Sequence, residues 1–281
     1  MTIQRRRVAG LLLLPASLVV VAFLALPLVL LLRYSLNRFV PGQFMVEALT
    51  LENYAKFWTD PFYFAVLRTT LMMSGGVTLL CLALAFPVAL FLARTTTRHK
   101  SLLLMAVVLP LFVGNAVRAA GWMVAFGHKG IVNWLLEAVL GGAPIDIMYT
   151  PTAVVIGILS VNMPYAVLTL QSVLEGIDRA AEEAAISLGA TPFAAWRLVT
   201  LPLATPGVLA AGVLCFILAM NAYATPILLG GPRFQMMAPL VANQILQQAN
   251  WPFGAAVSFV LIAVTLVLTA AANLSLGRRA A

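Results

Sequence analysis

Apolar residues run almost unbroken through six stretches, residues 8–32, 64–93, 102–126, 151–174, 204–229 and 254–276, with charged residues concentrated between them. Each reaches or exceeds the ~20 residues that carry a helix across a hydrocarbon core roughly 30 Å thick. The first follows Arg5, Arg6 and Arg7, as the apolar core of a secretory signal would. Its length exceeds the ~7–15 residues of such a core, and it lacks a clean small-x-small cleavage site, so an uncleaved first span is expected. The pattern predicts an all-α integral membrane protein of six transmembrane helices. It forms one transmembrane domain over residues 1–281, with a distinctive polar loop at 176–202.

Composition agrees with lipid as the main solvent. Hydrophobic residues make up 62% of the 281 and charged residues 9%, at a mean hydropathy of +1.01; soluble domains carry charge on roughly a quarter of their positions. The formal charge of +8 would suit nucleic acid. Its distribution argues for topology instead. Arg5, Arg6, Arg7, Arg94, Arg98, Lys100, Arg179, Arg197, Arg278 and Arg279 fall on the side of the termini, against Arg33, Arg38, Lys56, Arg68, Lys129 and Arg233 opposite. Ten against six, in shorter loops, places both termini in the cytoplasm by the positive-inside rule and removes nucleic acid as a partner. Cys81 and Cys215 lie inside apolar runs, where cysteine behaves as a small hydrophobe. His99 and His128 have no ligand-spaced neighbours, so no metal site is expected.

The spans carry interruptions. Pro15, Pro27, Pro87, Pro110, Pro164, Pro206 and Pro226 fall within or at the edge of them, with Gly75, Gly76, Gly114 and Gly121 nearby. Breaks of this kind need neighbouring helices or a wet cavity to satisfy freed backbone groups. Arg118 is the one charge well inside a span, and intramembrane charges default to functional hypotheses. Three roles stay open for it: pairing with carbonyls or a carboxylate, snorkelling outward over roughly 12 Å, or meeting the solute. Trp122, Asn162, Tyr165, Asn221 and Tyr223 join Arg118 as candidates for the pathway or its gate, although polar groups at this depth also serve as cross-helix hydrogen bonds.

The loop between the fourth and fifth stretches carries the most specific pattern. Asp178 suits an N-cap and Gly189 a C′ position, bracketing a helix over residues 179–188. Ala181, Ala184, Ala185 and Leu188 share one face, with Glu182 and Glu183 on its flanks. A small-residue face on so short a helix suits docking into a partner's groove, while alanine's helix propensity explains it equally well. The wider spacing favours docking. Glu183-Ala184-Ala185, three residues, Gly189, nine residues, then Val199-Thr200-Leu201-Pro202 resembles the EAA loop of ABC importer permeases, with Val199 where that family usually has isoleucine.

The resemblance implies a type I ABC importer permease fold, in which this helix couples to a separate ATPase. It assigns Glu182, Glu183, Ala184, Ala185, Gly189, Leu201 and Pro202 to that coupling, with Glu183 facing a basic group. The stretches Leu109–Trp122, Gly130–Asn133 and Asn221–Pro232 are similar to spermidine/putrescine-type permeases, the first-permease (B-type) subunit in particular. The implied partners are an ABC ATPase dimer carrying ATP and Mg, a second and different permease chain, and a periplasmic or extracellular solute-binding protein in a bacterial inner membrane. The chain itself contains no Gly-x-x-x-x-Gly-Lys-[Ser/Thr] loop, so it is expected to bind no nucleotide and to be no enzyme. The competing reading, a stand-alone secondary transporter or channel, calls for an ionisable relay within the spans, where only Arg118 qualifies. A membrane-embedded enzyme would need clustered His, Asp or Glu near an interface, and the sequence has none.

Overall fold

The computed structural model describes residues 3–43 and 45–277; Arg278 and Arg279 of the charge count lie outside them. The chain forms two compact units, Met1–Tyr63 with Val241–Val260, and Phe64–Leu240 with Leu261–Ala281.

In the first unit, α1 (Ile3–Ser35) is a long apolar helix. The most hydrophobic window of its Ser17–Ser35 portion has no residue buried within the chain. A polar turn follows, closed by an isolated antiparallel bridge between Arg38 and Val46. Helix α2 (Glu52–Thr59) is pinned to it because the Asn53 amide donates to the carbonyls of Ser35 and Asn37, both at 2.8 Å. Lys56 lies 4.6 Å above the Phe253 ring, which itself packs against Tyr63.

The second unit holds most of the spanning helices. Helix α3 (Pro61–Arg94) enters it, followed by α4 (Lys100–Val108), a 3₁₀ turn at Leu109–Phe112, α5 (Asn115–Phe126), α6 (Ile131–Leu140) and α7 (Pro151–Glu175). Then come α8 (Arg179–Ser187), α9 (Pro192–Ala195), a π-helical turn at Trp196–Thr200, α10 (Leu201–Leu203), α11 (Thr205–Met220) and α12 (Ala224–Gly230). Helix α13 (Met237–Ala242) and α14 (Trp251–Gly277) cross from one unit to the other. Among the described residues, four helices are long and apolar enough to cross a membrane, and six segments qualify if each of two bent pairs counts as one span.

The expected continuous helices at 102–126 and 204–229 both give way. The third span turns by 97° between Lys100–Phe112 and Asn115–Val139. Pro110 cannot donate and crowds the preceding turn, and the extended backbone of Val113 and Gly114 completes the break. The fifth keeps only 16 residues in α11, roughly 24 Å of helix, before stopping at Asn221. A bend of 64° precedes it, between Pro192–Leu203 and Thr205–Met220. Pro87 and Pro164, in contrast, sit inside unbroken helices.

Small side chains set the packing. Cys81, Ala85 and Ala89 form a buried stripe on α3, meeting Ala166 and Leu170 of α7 and Ala211 and Cys215 of α11. Without water to expel between helices in lipid, such close approach supplies the attraction. The α7–α11 contact is tight at Gly207, where an added Cβ would stand 2.7 Å from the Val173 Cβ. Valine's branched Cβ is fixed to its backbone and cannot swing away. Gly207→Ala is therefore expected to destabilise the protein by ~1–3 kcal/mol, read as a lower thermal unfolding midpoint in detergent. Adding Val173→Ala, which removes the two Cγ atoms 2.9 Å away but keeps the Cβ, should recover only part of the loss; a double variant as stable as wild type would mean that the Cβ contact carries no strain.

Candidate functional site

The loop helix α8 is built by its two ends. The Asp178 carboxylate accepts from the Ala180 amide at 3.0 Å and serves as N-cap. At the other end Gly189 takes φ +92°, a left-handed conformation open to glycine at little cost. The Gly189 amide reaches the Ile186 carbonyl at 2.9 Å and the Ala190 amide the Ala185 carbonyl at 3.0 Å, the paired bonds of a Schellman ending. The helix spans nine residues, ending one residue before the sequence pattern suggests.

Of the residues the motif singles out, Glu183, Ala184 and Gly189 are exposed, Ala185 half-buried, Leu201 half-buried and Pro202 exposed. Apolar side chains stand out around them: Leu188 is 90% exposed, with Ile186, Phe193 and Leu198 exposed nearby. Four large apolar side chains exposed within one loop suit an interaction site or lipid contact. Leu201 also lines an apolar groove of about 640 Å³ with Phe86, Pro87, Phe193 and Trp196.

Glu182 points the other way. Its Oε1 accepts from Arg94 Nη2 at 2.6 Å and from the Thr200 hydroxyl. The two charged side chains are only 19% and 26% exposed. Arg94 also donates to the Ile177 carbonyl at 3.3 Å, and Arg179 donates to the Arg94 carbonyl. A second ion pair, Lys100 to Glu175 at 2.6 Å, ties the start of α4 to the end of α7. Neither Arg94 nor Thr200 stood out in the sequence, where a basic residue ending a span and a threonine inside the motif look ordinary.

Among the pathway candidates, Arg118 and Trp122 lie one turn apart on α5 and converge on Ser160 of α7. Trp122 Nε1 donates to Ser160 Oγ at 3.0 Å, and Arg118 Nη1 to the Ser160 carbonyl at 3.4 Å. Arg118 Nη2 donates to the carbonyls of Pro110 and Val113, the latter at 3.1 Å. Both carbonyls belong to the break in the third span; that of Pro110 also accepts from the Val113 amide at 3.2 Å, so it is at Val113 that the guanidinium supplies a donor the interrupted helix lacks. Asn162 lies apart, fully buried, donating to the Cys215 carbonyl at 3.0 Å. Its Oδ1 has no partner among the described residues. Cys215 and Cys81 are free thiols with sulfurs 3.9 Å apart. Tyr165, Asn221 and Tyr223 are exposed, and the Asn221 amide turns back onto the Ile217 carbonyl at 2.9 Å. The six candidates therefore divide into one connected group at Ser160, one buried cross-helix amide and three exposed positions.

No family profile matches the sequence. The chain is 34% identical over 261 residues to the spermidine/putrescine transport system permease protein PotB of Haemophilus influenzae, across 92% of this chain and 91% of that protein. It is 30% identical over 233 residues to the inner membrane ABC transporter permease protein YdcU of Escherichia coli, across 78% and 73%. This chain belongs to the ABC importer permease family. The permease also shares its fold with a chain of a bacterial ABC transporter that imports the acidic polysaccharide alginate. The TM-score is 0.80, over 98% of this chain and 97% of that one, at 20% identity. As an importer permease it is a multi-pass membrane protein.

Arg118 is expected to matter first for stability. Hydrogen bonds to a charged group contribute ~1.5–3 kcal/mol each, so Arg118→Met should lower the unfolding midpoint clearly. Arg118→Lys should fall between, because one ammonium cannot bridge three carbonyls as a guanidinium fork does. A methionine variant as stable as wild type would mean the freed carbonyls find other donors.

Proposed function

We propose that this permease forms half of the translocation path for a small organic solute of the polyamine type, and that α8 docks on a separate ATPase. The observation that carries the docking is the loop helix itself: capped at both ends, with Glu183, Ala184, Ile186 and Leu188 turned outward. Ala184 and Ala185 permit close approach, Gly189 turns the chain out of the helix, and Leu201 and Pro202 lead into the next span. The solute class rests on the likeness to PotB, whose name specifies spermidine and putrescine. All nine acidic residues lie in the loops or at the ends of the spanning segments, so carboxylates for a dication come from the sister permease and the binding protein. Exposed Tyr165 and Tyr223 offer aromatic faces to a cation.

In this reading the chain is one transmembrane domain with its 176–202 loop and both termini in the cytoplasm of a bacterial cell. ATP and Mg bind on an ATPase dimer, and a second, different permease completes the channel. A solute-binding protein delivers from outside. ATP acts by binding one global state of the assembly better than another, drawing the two docking helices together and opening the path outward.

The test is purification of the tagged permease with its partners from the native host, and uptake of radiolabelled putrescine by cells. Gly189→Leu forces a left-handed backbone on a branched residue, a strain of ~1–2 kcal/mol, enough for roughly a tenfold loss of docking. The variant should insert normally, recover less ATPase and import less. Full uptake and full ATPase recovery would refute the docking role and favour a stand-alone transporter. Putrescine uptake by a strain deleted for this permease equal to that of its parent would remove the polyamine assignment alone.

A further inference from the structure

Three elements meet on one carboxylate oxygen. Glu182 Oε1 receives Arg94 Nη2, from the last residue of α3, and the Thr200 hydroxyl, from the end of the π-helical turn that leads through α10 into α11. We infer that Glu182 is not part of the surface offered to the ATPase but a positioning residue, the strut through which movement of α8 reaches α3 and α11. This inference rests on the reading of α8 as the docking helix.

The geometry separates the two glutamates. Successive residues on a helix project about 100° apart, so Glu183 stands exposed while Glu182 turns onto the body of the protein. The pair Arg94–Glu182 is shielded enough for a planar guanidinium fork to hold direction as well as charge. Arg94 adds a bond to the Ile177 carbonyl, just before α8, so α3 grips both the approach to the helix and its first turn. The Arg179 bond to the Arg94 carbonyl is a further tie, but it is exposed. On the other side, the Ala204 amide bonds to the Thr200 carbonyl at 2.8 Å, which continues the connection directly into the start of α11. The turn carrying Thr200 is a π-helical segment, a rare conformation found mostly as single turns within helices and frequently at functional sites. A push on α8 thus has one route into α3 through Arg94 and another into α11 through Thr200.

The experiment uses the complete transporter, purified with its co-expressed partner subunits, and follows hydrogen exchange with and without ATP, Mg and orthovanadate. Wild type should show ATP-driven changes both in α8 and in the Thr205–Met220 peptides. Glu182→Ala should keep the ATPase at wild-type stoichiometry and keep the change in α8. Its change in Thr205–Met220 should fall about twofold or more, the signature of lost coupling between sites. Thr200→Val, which removes a single hydroxyl, should diminish the α11 response while leaving that of α3. The exchange Arg94→Glu with Glu182→Arg should recover response that each single variant loses, which a general loss of folding would not allow. Loss of the ATPase from Glu182→Ala overturns the inference in favour of a docking role for Glu182. An undiminished α11 response, an absent response in wild type, or an exchange variant no better than the singles also overturns it. If Gly189→Leu leaves ATPase recovery intact, the docking reading itself fails, independently of the strut.

Discussion

A peptide group that leaves helical geometry at membrane depth finds no water to bond, so each break in a spanning helix must carry its own donors and acceptors. Much of the polar chemistry in this permease follows from that constraint. The third span bends at Pro110 and Val113, and Arg118 delivers its donors to the carbonyls of those two residues. Where α11 ends, Asn221 returns its side-chain amide to the Ile217 carbonyl. The hydroxyls of Thr70, Thr78, Thr265 and Thr269 bond to carbonyls one turn back in their own helices. In this light an intramembrane arginine is first a part of the backbone's hydrogen bonding.

The loop between α7 and α11 meets a different requirement. A nine-residue helix is marginal in water when isolated, yet this one must be a defined shape. Its caps satisfy the ends and hold the helical shape, and the Arg94–Glu182–Thr200 contacts tie it to α3 and to the turn before α11. With Glu182 drawn inward, Glu183, Ala184, Ile186 and Leu188 are left on the open side.

Local chemistry was legible in the sequence and tertiary choice was not. Asp178 and Gly189 mark the ends of α8 because capping depends on only a few neighbouring residues. The fourth span, expected over 151–174, forms as Pro151–Glu175, bounded by Thr150 as N-cap and a polar turn. The breaks were harder. Pro87, Pro110 and Pro164 look alike in the chain, but only Pro110 has an extended Val113–Gly114 pair after it and an arginine one turn further on. The two neighbouring glutamates were likewise indistinguishable, since the partner that separates Glu182 from Glu183, Arg94, lies more than 80 positions away in sequence. Six pathway candidates could be named, but Ser160, which joins two of them, was hidden as a lone serine in an apolar run.

The placement of Arg118's partners bears on biogenesis. A segment entering the bilayer with a central arginine faces a penalty of ~2.5–3.5 kcal/mol on insertion scales. Here two of the three acceptors, Pro110 and Val113, lie eight and five residues before the charge. Ser160 arrives with a later span, 42 residues on. The third span therefore brings two of the acceptors that solvate its charge, folded back by the bend, into the membrane. It can wait there as a self-contained intermediate until α7 emerges and closes over it.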